Sequence, residues 1–143
     1  MEKYIYFFER FHNHETGFKV AGELLKKTRS QMEELHDKYQ LEHIEVVFLN
    51  EAAKILVECK RVLKWSYAFG FYIDEAHRSL YEFGQKDLER YAEELLESLE
   101  IHYKTGIREE LGKLDLKAFT KYKNEVVSQK DKCQKVNLVI FQE

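Results

Sequence analysis

One segment decides the fold of this 143-residue chain: Leu56-Val-Glu-Cys-Lys-Arg-Val-Leu-Lys-Trp-Ser-Tyr-Ala-Phe-Gly-Phe-Tyr-Ile73. Its aromatic residues alternate with smaller ones from position 65 to 71, and strict alternation usually favours a strand. No turn signal interrupts residues 44–73, however, and apolar positions recur at steps of three and four residues, which places them on one stripe of a helix. We therefore expect a long central helix whose remaining aromatic side chains are covered by neighbouring helices. The stripe consists of Phe48, Ala52, Ile55, Cys59, Val62, Ser66, Phe69 and Ile73.

The rest of the chain favours helices as well. Proline is absent, only six glycines are present, and 44% hydrophobic with 34% charged residues suits amphipathic helices rather than disorder. The patterns predict an all-α fold, an elongated antiparallel bundle of about four long helices forming a single domain over residues 1–143. The expected helices are Glu2–Lys38, Glu42–Ile73, Ser79–Tyr103 and a fourth that begins between Ile107 and Asp115 and ends near Ile140.

The first helix has two rows of residues that repeat every seven positions, a spacing typical of coiled-coil-like packing. Gly17 and Gly22 interrupt this helix and are expected to mark a bend or a close approach of two helices. The first row consists of Tyr4, Phe11, Phe18, Leu25, Met32 and Tyr39, and the second of Phe7, His14, Ala21, Thr28 and Leu35.

Three ordered motifs carry a resemblance to a known family: Tyr4-Ile-Tyr-Phe-Phe-Glu-Arg-Phe-His-Asn-His14, the run from Cys59 to Tyr72, and Phe83-Gly-Gln-Lys-Asp-Leu-Glu89. Together they resemble the Ariadne domain, the helical C-terminal domain of the Ariadne subfamily of RING-between-RING (RBR) E3 ubiquitin ligases. The resemblance is good over residues 4–100 and weak beyond them. The matched signature residues are Arg10, Phe11, Asn13, His14, Cys59, Arg61, Leu63, Trp65, Tyr67, Phe69 and Tyr72.

The resemblance implies a regulatory role. An Ariadne domain folds over the catalytic Rcat domain of its ligase and covers the cysteine that accepts ubiquitin from the E2, until a neddylated cullin-RING complex releases it. The family's inhibitory contact uses a Phe-Glu pair on the first helix and a Glu on the third. Glu93 matches the latter, although it also suits an ordinary exposed position. The pair falls on Val20-Ala21, which does not match, so other contacts are expected from Phe18, Lys19 or Glu23.

The sequence provides no catalytic or metal-binding constellation. Cys59 and Cys133 are the only cysteines and neither has a Cys-x-x-Cys partner, so no thiolate zinc site is expected. Two Glu-x-x-His motifs, ending at His12 and His36, stand on one helix about 36 Å apart and cannot share a di-iron site. We expect the chain by itself to be no enzyme and to bind no cofactor, since the zinc and the catalytic cysteine would belong to other domains of the parent ligase.

Composition also restricts the partners. The formal net charge of −3 argues against nucleic acid, and no apolar run reaches the roughly 20 residues that cross a membrane. The start of the sequence does not resemble a signal peptide, which predicts a cytoplasmic or nuclear protein. A free-standing helical interaction module, with no ligase attached, remains the alternative. Trp65 fits either a core anchor or a partner contact, and the sequence does not decide between them.

Overall fold

The computed structural model of the protein describes residues 2–140, and the side chains of residues 2–136. Four long helices pack side by side, each antiparallel to the one before it, which confirms the predicted all-α elongated bundle. The elements are α1 (Glu2–Tyr39), α2 (His43–Gly70), α3 (Glu75–Glu100), a short α4 (His102–Gly106), β1 (Glu109–Glu110), β2 (Lys113–Leu114) and α5 (Leu116–Ile140).

Helix α2 is the centre of the bundle and contacts α1, α3 and α5. Small side chains such as Ala52, Ala53 and Cys59 are completely buried on it, which allows three helices to approach, while Leu56 and Leu63 fill the spaces between them. Its first turn is held by Glu42, whose backbone N–H donates to the Glu45 carboxylate over 3.1 Å in a capping box.

The predicted stripe on α2 holds over most of its length but is wrong at its C-terminal end. Phe69 is 58% exposed, and the helix ends at Gly70 instead of Ile73. The reason is the start of the next helix. Asp74 caps α3 by accepting from the His77 N–H, and this requires an extended backbone at Asp74 (φ −73°, ψ 163°). The chain must therefore leave α2 before residue 74, and Phe69 loses the helix that would have covered it.

The seven-residue spacing on α1 is present, but the two rows differ in depth. The second row and its neighbours Leu24 and Gln31 contain the buried positions, whereas Tyr4 of the first row is 55% exposed and the others of that row are half-buried. Ala21 and Thr28 are small, so α1 lies close to α2 along the second row and the larger rings are left at the edge. Gly17 faces Lys60 of α2 at close range, since a Cβ atom there would lie 3.3 Å from Lys60 Cδ. Gly22 has no neighbour that requires a glycine.

The connection after α3 differs from the sequence prediction. Instead of one helix from Ser79 to Tyr103, α3 begins earlier at Glu75, ends at Glu100 and is followed by α4. A small antiparallel hairpin, with Gly112 at φ 77° in its turn, precedes α5 and was not predicted. Its Glu109 pairs with Lys38 of α1 over 2.9 Å. Helix α5 then starts at Leu116, one residue beyond the predicted interval, where Asp115 accepts the N–H groups of residues 117 and 118.

Gly106 closes α4 against the ring of Tyr122, and a side chain at this position would not fit. A Cβ atom would lie 2.4 Å from Tyr122 Cγ and 2.6 Å from Tyr122 Cβ, and neither atom belongs to a flexible end of the side chain. We expect Gly106→Ala to reduce the free energy of unfolding by about 1–3 kcal/mol, the usual effect of overpacking a buried contact. Chemical denaturation checks this, with Gly22→Ala, which meets open space, as the matched control. Equal stability of the two variants would show that Tyr122 can move away.

Candidate functional site

A polar network joins the first three helices at the level of the family motifs. Tyr67 of α2 donates its hydroxyl to Glu89 of α3, and His14 Nε2 of α1 lies 3.3 Å from the same carboxylate oxygen. The His14 ring stacks on the Tyr67 ring at a centroid distance of 5.3 Å with an angle of 8° between their planes. Because a carboxylate only accepts, both neighbours must be donors, which fixes the position of a proton on His14 Nε2.

Electrostatics around Glu89 favour the ionised carboxylate. Burial by itself raises the pKa of Glu89, but the hydrogen bonds from His14 and Tyr67 and the nearby charge of Arg10 outweigh burial and lower this pKa below its ordinary value of 4.5. Burial and the hydrogen bond to Glu89 raise the pKa of the Tyr67 phenol, so that it stays a donor. The network is therefore a charged junction that holds α1, α2 and α3 in one arrangement.

The other signature residues divide into packing positions and exposed ones. Cys59 and Leu63 are buried in the core, and Arg10 stacks on the Tyr6 ring with 3.6 Å between the guanidinium carbon and the ring centre. Asn13 and Arg61 are exposed, and Arg61 pairs with Glu58 on its own helix. Glu89 belongs to the third motif but received no role from the sequence. Its partners are 22 and 75 residues away, a relation that one sequence does not reveal.

The aromatic end of α2 is only partly covered. Trp65 contacts the Phe11 ring edge-on at 5.5 Å between ring centres, yet it remains 43% exposed. Tyr72 is 81% exposed. Trp65 is therefore not a fully buried core anchor, and its role as a partner contact stays a prediction.

The four residues that the sequence proposed for an inhibitory contact do not form one cluster. Glu93 is exposed on α3, and Lys19 and Glu23 are exposed on α1, whereas Phe18 is half-buried beneath the ammonium group of Lys64 at 5.4 Å. Among the residues with described side chains, Glu93, Lys19 and Glu23 form no ion pair with one another or with any other residue.

The rotation of about 100° per residue shows which of these positions lie on the same side of α1. Phe18 lies about 40° to one side of His14 and Val20 about 120° to the other. Arg10, whose charge acts on Glu89, lies on the same side of α1 as Val20. Glu93 follows Glu89 by one turn on α3.

Val20 and Arg10 therefore lie on one side of α1, while Phe18 and Lys19 lie on the opposite side. Glu23 points to the rear of α1. Ala21, the other half of the mismatched pair, is only 1% exposed and packs in the core, where no side chain can contact another domain.

Within residues 2–140, no helix is long and apolar enough to pass through a membrane. In the same part of the chain, no group of three or more His, Cys, Asp or Glu side chains is arranged to hold a metal ion.

Comparison with known proteins identifies the relatives of this chain. The E3 ubiquitin-protein ligase dbl4 of Schizosaccharomyces pombe is 37% identical over 101 residues, 70% of this chain and 20% of that protein. The probable E3 ubiquitin-protein ligase rbrA of Dictyostelium discoideum is 30% identical over 131 residues, 90% of this chain and 24% of that protein. The E3 ubiquitin-protein ligase ariadne-1 of Drosophila melanogaster is 34% identical over 101 residues, again 70% and 20%.

No protein-family model matches the chain. The chain spans about a fifth to a quarter of the length of these curated relatives. The residues of the three motifs form the His14–Tyr67–Glu89 junction and part of the core of α2. The chain is therefore homologous to part of the Ariadne-type RING-between-RING E3 ubiquitin-protein ligases and belongs to them as an Ariadne domain.

Proposed function

We propose that this chain is the regulatory, autoinhibitory Ariadne domain of an RBR-type E3 ubiquitin-protein ligase. In the closed state it covers the catalytic cysteine of the Rcat domain, and a neddylated cullin-RING complex releases it. The parent protein receives ubiquitin from an E2, holds zinc in its RING-like domains and works in the cytoplasm or the nucleus. The chain by itself supplies no catalytic group. The homology to part of several E3 ligases supports this proposal.

The exposed carboxylate of Glu93 is the observation that carries the proposal. An exposed glutamate without an ion pair on α3 is free to accept hydrogen bonds from another domain. Glu89, one turn away on α3, is hydrogen-bonded to Tyr67 of α2 and His14 of α1, so Glu93 lies on a helix whose position relative to α1 is fixed.

The first-helix half of the inhibitory contact must differ from that of the family. Ala21 is buried, so it provides no contact, while Val20 is 42% exposed on the same side of α1 as Arg10 and offers an apolar contact. Among the substitutes suggested by the sequence, Phe18 and Lys19 lie on the other side of α1 and Glu23 on its rear. They would contact Rcat only if that domain wrapped around α1. Val20 and Glu93 are therefore the pair we assign to the closed state.

Release then follows as a population shift. A closed state held by a modest interface is reversed by any partner that binds the open state more tightly, and a factor of ten in the closed–open equilibrium corresponds to about 1.4 kcal/mol. A clamp that rests on Val20 and Glu93 is smaller than one with a Phe-Glu pair. We expect it to open more readily.

Substitution of Glu93 tests the proposal. Loss of a charge-assisted hydrogen bond typically weakens an interface by about 1.5–3 kcal/mol, so Glu93→Ala should raise the open population of the full-length parent about ten-fold or more. The measurement is autoubiquitination by the full-length parent without a cullin complex. Because Glu93 is exposed and forms no ion pair in this structure, the melting temperature of the isolated domain should not change.

Glu110→Ala is the matched control, since it removes an exposed glutamate on the hairpin instead of on α3. It should leave autoubiquitination at the wild-type level. If Glu93→Ala also stays at that level, the closed state does not use this carboxylate. If the full-length parent shows no ubiquitin transfer in any state, the assignment to an active ligase is wrong.

A further inference from the structure

An open aromatic groove lies between the N-terminal half of α1 and the C-terminal end of α2. It has a volume of about 270 Å³ and no carboxylate lines it. Phe8 is 48% and Trp65 43% exposed at its edges, and Phe71 lies at its base against Phe7 and Tyr4. Exposed aromatic rings gathered in a concave surface are unusual for a surface that faces only water. The residues that line the groove include Tyr4, Phe8, Phe11, Trp65, Phe71 and Tyr72.

The groove faces mainly away from α3. Helix α3 contacts α2 through Ser66, which accepts from Tyr81 and Gln85. Ala68 of the groove follows Ser66 by two residues, which is about 200° around the helix. Tyr67, which also lines the groove, is connected to α3 through its hydrogen bond to Glu89, whereas Glu93 is not among the lining residues.

A positive charge stands at each end of the groove. Lys64 Nζ lies over three rings, at 4.9 Å from the centre of Trp65, 5.6 Å from Phe11 and 5.4 Å from Phe18. Lys3 Nζ lies 5.2 Å from the centre of the Phe71 ring. Eight residues of α1 separate Lys3 from Phe11, or about 12 Å of helix. The ring faces hold these ammonium groups in position by cation–π attraction.

Neither charge has an acidic partner in the described part of the chain. Among the residues whose side chains the structure describes, Lys3 and Lys64 lie within 4 Å of no carboxylate. The formal net charge of the whole chain is −3, whereas the lining of the groove contains no acidic residue. The combination of apolar rings and unpaired ammonium groups complements a ligand that is apolar in its centre and acidic at its ends.

We propose that this groove binds a short acidic segment of another polypeptide, which places apolar side chains among the rings and carboxylates on Lys3 and Lys64. A volume near 270 Å³ is below the roughly 300–1,000 Å³ of pockets that enclose small molecules, but it accepts one or two large side chains. Apolar grooves between helices commonly bind such segments. This surface is a second docking site and does not depend on the inhibitory role proposed for Glu93.

A peptide selection tests the proposal with the 143-residue chain. A displayed library of random 12-residue peptides is selected on the chain, and the selected peptides are synthesised and titrated. Trp65 is the only tryptophan, so its fluorescence reports directly on binding in the groove. We expect selected peptides to combine Leu, Phe or Trp with Asp or Glu on both sides. Replacement of their acidic residues by Lys should weaken binding at least ten-fold.

Matched variants inside and outside the groove show whether the selected peptides bind there. Phe8→Ala should weaken the affinity at least ten-fold, whereas Phe83→Ala, which removes an even more exposed ring on α3, should leave it unchanged. Lys64→Gln should reduce the preference for acidic peptides, and Lys86→Gln on α3 should not. Circular dichroism confirms that each variant is folded. The proposal is overturned if no acidic and apolar peptide is selected, or if Phe8→Ala binds like the wild type. It is also overturned if twelve-nucleotide oligo-dT or anionic phospholipid vesicles change Trp65 fluorescence at lower concentration than the peptides do.

Discussion

Cys59→Arg is expected to unfold the domain at room temperature. The Cys59 side chain is 0% exposed, and its Sγ lies 4.0 Å from the carbonyl oxygen of Cys133 on α5. The hydrogen bond to Cys133, together with burial, raises the pKa of this thiol, so the site holds a neutral group. An arginine would introduce a long charged side chain without an acidic partner between α2 and α5. Burying an unpaired charge costs several kcal/mol, a large part of the 5–15 kcal/mol that typically stabilises a domain.

The measurement is thermal unfolding followed by circular dichroism. Two controls separate the charge from the position. Cys59→Ala removes the thiol without adding charge and should reduce the free energy of unfolding by about 1 kcal/mol. Ile44→Arg places the same guanidinium on α2 at a residue that is 75% exposed, and it should change this free energy by less than about 0.5 kcal/mol. An unchanged melting temperature for Cys59→Arg would mean that α2 and α5 separate easily at this level.

The position of Cys59 was predictable because burial on a central helix follows from spacing alone. Steps of three and four residues identify the face of α2 that meets other helices, and Cys59 and Val62 are buried there as expected. Phe69 does not follow this spacing. Its exposure depends on Asp74, which caps the next helix, so that α2 ends earlier and no helix covers Phe69. The hairpin depends on Lys38, more than 70 residues earlier, which pairs with Glu109. Such contacts between distant residues have no local signal.

The candidate site was predictable to a similar extent. The phase of α3 placed Glu93 on the exposed side, and the packed row of α1 placed His14 where it needs a hydrogen-bond partner. Which side of α1 Phe18 and Lys19 occupy relative to Glu93 follows only from the contact between α1 and α3. The exposure of Trp65 likewise depends on which helices pack at the end of α2, where its ring contacts Phe11 of α1. The sequence does not reveal this packing, so it left both alternatives for Trp65 open.

Glu89→Ala is expected to cause the second large loss of stability, although Glu89 lies at the rim of the core. The substitution removes two hydrogen bonds to a charged acceptor and leaves the Tyr67 hydroxyl and His14 Nε2 without a partner. Hydrogen bonds to charged groups contribute about 1.5–3 kcal/mol each, and with some reduction because Glu89 is 36% exposed we expect a loss of about 3 kcal/mol. Denaturant unfolding checks this value.

Two further substitutions show how much of this loss of stability comes from the hydrogen bonds of Glu89. Glu93→Ala, one turn along α3, removes an exposed carboxylate that has no ion pair and should change the free energy of unfolding by less than about 0.5 kcal/mol. Tyr67→Phe removes one donor. In combination with Glu89→Ala it should cost less than the sum of the two single changes, because both act on one hydrogen bond. Additive losses would show that Tyr67 and Glu89 stabilise the domain independently.

The pH dependence of Glu89→Gln gives the sharpest test of the charge on this junction. Because the pKa of Glu89 is lower in the folded state than its ordinary value of 4.5, the ionised carboxylate adds stability above pH 4.5, and this contribution disappears as the pH falls through the lowered pKa. The wild type should therefore be more stable than Glu89→Gln above about pH 5.5, where the group is ionised in both states. The difference should shrink steadily below about pH 4.5. Denaturant titrations of both proteins from pH 7 to pH 3 measure it, and acidic groups that do not contact Glu89 cancel in the comparison. A difference that stays constant down to pH 3 would mean that Glu89 contributes through its shape and not through its charge.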